Sequence, residues 1–63
     1  MFKLWRVILE RGPKDPVQYG PESERRAYYR AQSLSELHGC TSTRDDIART
    51  VTVHGGDWYR GQS

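Results

Sequence analysis

GPESERRAYYRAQSLSELHG, residues 20–39, is the stretch on which the fold turns. Gly20 is a permissive N-cap, Pro21 suits the first helical position, and Glu22 and Glu24 place carboxylates where the macrodipole favours them. These signals predict a helix running to about Leu37, with His38 in its last turn and Gly39 as the left-handed terminating residue. Ser33-Leu34-Ser35-Glu36 also spells a capping box, so a break into two shorter helices stays open. On a continuous helix Ala27, Ala31 and Leu34 form one stripe, extended by His38 and bordered by Tyr28 and Leu37. Arg26, Arg30 and Ser33 flank it, Arg25, Tyr29 and Glu36 point away, and Glu22 precedes Arg26 by one helical turn. Small alanines in mid-stripe imply a close approach to a sheet, which must supply the bulk. Trp5 and Trp58 are the expected suppliers.

On the N-terminal side, Lys3 to Glu10 (KLWRVILE) reads as a strand bounded by Gly12-Pro13. Period two puts Trp5, Val7 and Leu9 on the core face and Leu4, Arg6, Ile8 and Glu10 on the other. Val17 to Tyr19 is a candidate short return strand, confined to an edge by Pro16. On the C-terminal side, Cys40 to Asp46 is rich in Ser, Thr and Asp and reads as a loop. Arg49 to His54 alternates as a strand, and Gly55-Gly56 signals a two-residue hairpin into a last strand from Asp57 to Arg60. That register would pair Val53 with Trp58 and Val51 with Arg60, and would place His54 opposite Asp57. The expected fold is α+β: one domain over residues 1–63, a small antiparallel sheet of three to four strands in the order β-(β)-α-β-β, and one helix on one face.

At 63 residues the chain has room for a single thin core. One cysteine, Cys40, excludes an internal disulfide and suits a reducing compartment. No apolar run reaches membrane-spanning length and no signal-peptide core follows Met1, so a cytoplasmic location without membrane attachment is expected. Eight arginines and two lysines are interleaved with eight carboxylates, leaving a net charge of +2 and no dense positive field.

Nucleophilic catalysis would have to draw on His38, Cys40 and Asp45 or Asp46, but so short a chain scarcely builds a cleft as well as a core. The same residues with His54 match no zinc-ligand spacing, and Gly55-Gly56 opens no helix that could cradle phosphate. No catalytic residue, cofactor or metal is therefore assigned. Nucleic-acid binding has ingredients in Arg6, Arg25, Arg26 and Arg30, opposed by carboxylates along the same surfaces. Protein binding accounts for more features. With one helix, one sheet face stays uncovered, and it would carry Leu4, Arg6, Ile8, Thr52, His54 and Tyr59. Self-association through that face would also stabilise a marginal domain.

The W-R-V-I-L strand, the Tyr19-Gly20-Pro21 turn, the L-x-x-L-H-G helix end at Leu34 to Gly39, V-x-V and G-G-D-W-Y together resemble short uncharacterised proteins of actinobacteria and their phages. The resemblance covers most of the chain, rests on folding signals, and transfers no functional residue. It implies an accessory or phage-borne protein. The expectation is a non-enzymatic protein-interaction module, phage-encoded and acting on a host protein through the open sheet face. A small basic nucleic-acid-binding protein is the alternative.

Overall fold

A computed structural model describes residues 3–56. Its elements follow in the order β1 (Trp5–Arg11), β2 (Lys14–Glu22), α1 (Glu24–His38), β3 (Cys40–Asp45) and β4 (Thr50–Gly55). The four strands form one open sheet in the spatial order β2-β1-β4-β3, with α1 against one face. The α+β class and the β-β-α-β-β order are those the sequence predicts. The sheet is mixed, however: β1 pairs antiparallel with β2 and parallel with β4, and β4 pairs antiparallel with β3.

The core is the one the periodicities select. Trp5, Val7 and Leu9 from β1 and Val51 and Val53 from β4 are buried under Ala27 and Ala31 of α1, with Val17, Tyr19, Leu34 and Cys40 packed around them. Val7, Val53 and Ala27 are fully excluded from solvent. Apolar side chains on two adjacent strands bury best side by side at the centre of a sheet, and the parallel β1–β4 pairing achieves this, matching Val7 with Val51 and Leu9 with Val53.

Two expectations about the C-terminal half give way to that arrangement. The Ser/Thr-rich segment expected to be a loop is β3, an edge strand whose residues are exposed apart from half-buried Cys40. It carries no hydrophobic alternation to reveal it, yet Thr41 and Thr43 are β-branched and suit a pleated surface. Its hairpin partner is β4. The turn between them is closed by Asp45, whose Oδ1 accepts hydrogen bonds from the backbone N–H groups of Ile47 and Ala48 at 3.0 Å. The expected Gly55-Gly56 hairpin finds no free edge, because both sides of β4 are taken. Val53 faces Ser42 and Leu9, and Val51 faces Arg44 and Val7, in place of Trp58 and Arg60. Residues 57–60, including the expected core residue Trp58 and the expected partner Asp57, lie outside the described residues.

The helix also starts later than expected. Ser23, not Gly20, is the N-cap: its hydroxyl accepts from the Arg26 N–H at 3.2 Å and its carbonyl from Ala27 N–H at 2.9 Å. Gly20 and Pro21 belong to β2, which extends well beyond Val17–Tyr19. Gly20 has φ +99°, and a Cβ there would lie 2.8 Å from the Trp5 carbonyl oxygen, so only glycine lets β2 pass β1 at this point. From Glu24 the helix runs unbroken through Ser33 to Gly39, whose αL backbone donates its N–H to the Ser35 carbonyl.

Candidate functional site

The two flanks of α1 are built from the same kinds of residue and end differently. Toward β2, Glu22 is 9% exposed, and its carboxylate accepts a fork of hydrogen bonds from Arg30, with Nε to Oε2 at 2.8 Å and the terminal nitrogen to Oε1 at 3.1 Å. Glu22 thus pairs across to α1 at Arg30, not within a helix to Arg26. The Arg30 guanidinium also lies 4.7 Å over the Tyr19 ring, sealing this flank. The hydrogen bonds Arg30 donates to Glu22, ahead of the carboxylate's charge, raise the Arg30 pKa above the ordinary arginine value.

Toward β3 the pieces recur, with the arginine now on the strand. Arg44 lies 4.5 Å over the Trp5 ring and is gripped by Glu24 of α1 and by Asp46, the latter at 2.6 Å. Its pKa is raised by the hydrogen bonds to Asp46 and then Glu24. This clasp closes only one end of the flank. Beyond it a groove of about 370 Å³ opens between α1 and β3, with Trp5, Ala31 and Val51 beneath and Tyr28, Gln32, Ser35 and Ser42 along its walls. The Ser35 hydroxyl is buried and has no hydrogen-bond partner among the described residues. An adjoining hollow carries the groove past the helix N-terminus to Lys3, Arg25 and Tyr29.

The outer edge of β3 borders this groove, and nothing among the described residues pairs with it. The opposite edge, β2, is interrupted. Pro16 and Pro21 lack N–H groups, its register with β1 shifts twice, and the Asp15 carbonyl accepts from Arg11 Nε at 2.8 Å. In contrast, β3 has no proline, and its register with β4 is unbroken from Cys40 to Asp45. Sequence reasoning missed this feature because it rests on which strand ends up at the edge.

The residues expected on the open sheet face are partly brought together. Arg6 and Ile8 project from β1 beside Thr50 and Thr52 of β4, and His54 follows on the same face. Leu4 precedes β1 and is 51% exposed, and Tyr59 lies outside the described residues. Thr41 and Thr43 of β3 complete the face, with Thr43 Oγ1 at 2.9 Å from His54 Nε2. Among the described residues the face therefore carries more threonine than aliphatic side chains. The arginines considered for nucleic acid do not converge: Arg6 is on the open face, Arg25, Arg26 and Arg30 are on the helix side, and Arg30 is committed to Glu22. Among the described residues no three His, Cys, Asp or Glu side chains gather as metal ligands, and no helix is long and apolar enough to cross a membrane. No protein family, curated protein or solved structure matches the chain.

Proposed function

We propose that this chain is a non-enzymatic protein-interaction module whose partner docks as an extended segment along β3. The observation that carries the reading is the regular β3 edge, unpaired among the described residues, running beside an open groove. An edge strand offers a row of backbone donors and acceptors, which gives an added strand its affinity, and a groove under alternate side chains gives it selectivity. The open face expected from the sequence becomes the flank of this site, since Thr41 and Thr43 belong to both. A phage-borne protein acting on a host protein fits the same reading, because an exposed edge accepts any extended segment that presents the right side chains.

Panning a random peptide library on the folded chain tests it. Enriched peptides should bind wild-type protein and lose at least about tenfold in affinity on Ser42→Pro. The Ser42 N–H points away from β4, so the change removes an outer-edge donor from a strand that still folds by circular dichroism. Loss on Ile8→Glu, with Ser42→Pro silent, would move the site to the open face. Failure to enrich any peptide would remove the reading.

A further inference from the structure

Resting on that reading, we infer that the β3 groove takes its partner in one direction, antiparallel to β3, and selects an extended segment reading acidic–x–aromatic–x–basic from its N-terminus. The two ends of the groove differ in charge. At the Arg44 end, Lys3 and Arg25 line the hollow and make no ion pair among the described residues, while Arg44 itself is held by Glu24 and Asp46. The positive end of the α1 dipole lies there too. At the far end Glu36 lines the groove, likewise without an ion pair among the described residues, close to the negative end of the helix. Arg25 and Glu36 are separated by about 16 Å along α1 at the helical rise. In an extended strand, side chains two apart share a face, and positions one, three and five span about 13 Å. The backbone of a five-residue segment spans most of that distance, and the long side chains at its two ends cover the remainder.

The antiparallel direction follows from the layout. β3 runs from Cys40, beside the C-terminus of α1, to Asp45, beside its N-terminus. A strand added antiparallel begins near Lys3 and Arg25 and ends near Glu36. Its first groove-facing residue, opposite Arg44, meets positive charge, and its last, opposite Cys40, meets Glu36. The middle one, opposite Ser42, lies over Ala31 and Val51 beside Tyr28, where an aromatic ring buries the most apolar surface.

Two capped peptides of identical composition test the inference: Glu-Thr-Trp-Thr-Lys and its reverse, Lys-Thr-Trp-Thr-Glu, titrated against the full chain by fluorescence anisotropy. The first should bind about tenfold more tightly, because two exposed charge contacts change sign in the second. Glu36→Lys, an exposed substitution, should erase most of that difference, as should about 0.5 M salt. Equal affinities, with both lost on Ser42→Pro, would overturn the directional selection and leave docking along β3 standing. If neither peptide binds the folded chain at millimolar concentration, both readings fall. In that case a dimer mass by light scattering would identify a second copy as the occupant of the groove, which overturns the proposal.

Discussion

The two flanks of the helix teach more about this protein than its core does. Each has an arginine laid on an aromatic ring and paired with a glutamate: Arg30 on Tyr19 with Glu22, and Arg44 on Trp5 with Glu24. On the β2 flank the glutamate is buried and the strand outside it is broken by prolines and register shifts. On the β3 flank the glutamate is exposed, the strand outside it is regular, and a groove remains. Equivalent chemistry thus closes one side and leaves the other open. The cause is geometric: Arg30 reaches down from the helix across its flank, whereas Arg44 rises from the strand and covers one end.

The largest effect should come from the residue both flanks share. Trp5 pairs with Glu22 across β2 and carries Arg44 on its face, so Trp5→Ala should cost about 3–5 kcal/mol. A core this small supplies only about 3–5 kcal/mol in all, so the variant should be largely unfolded by circular dichroism at 25 °C. Next, Arg30→Ala leaves the Glu22 carboxylate buried without its partner. Discounted for the half-exposed arginine, the loss should be about 1–2 kcal/mol in urea titrations. Arg44→Ala removes the corresponding clasp from a solvent-exposed site and should lower the melting temperature less than Arg30→Ala does. An equal or larger drop would show the β3 flank to be as closed as its counterpart. Smallest of all, Thr43→Ala, which removes only an exposed hydrogen bond to His54, should stay within about 0.5 kcal/mol. Hydrogen exchange sharpens the contrast without mutation. Amides of β1 and β4 should be the most protected, and part of β3 should exchange at rates near those of loops.

Period-two and helical patterns located β1, α1 and β4 because each buries one face, and burial is what such patterns encode. Gly39 announced the helix end for the same local reason, the need for a left-handed residue. The helix start was misplaced because Gly20-Pro21 satisfies an N-cap rule as well as Ser23 does. The decision lies in the close pass of Gly20 over Trp5, which no local rule contains. Of the candidate site, Arg6, Ile8, Thr52 and His54 were legible as sharing a face. The groove was not, because it is formed by two elements that touch only in three dimensions.

By itself the sequence determined one helix with an alanine stripe, two apolar strands that must flank it, and the faces these strands bury, since each follows from local backbone preference and the period of burial. Tertiary structure alone decided that β1 and β4 lie side by side and parallel, because only the shared burial of Val7, Leu9, Val51 and Val53 outweighs the local hairpin signal at Gly55-Gly56. Once β4 is central its edges are filled, and β3, a strand that packs only Cys40 against the core, becomes the edge on which the proposed function rests.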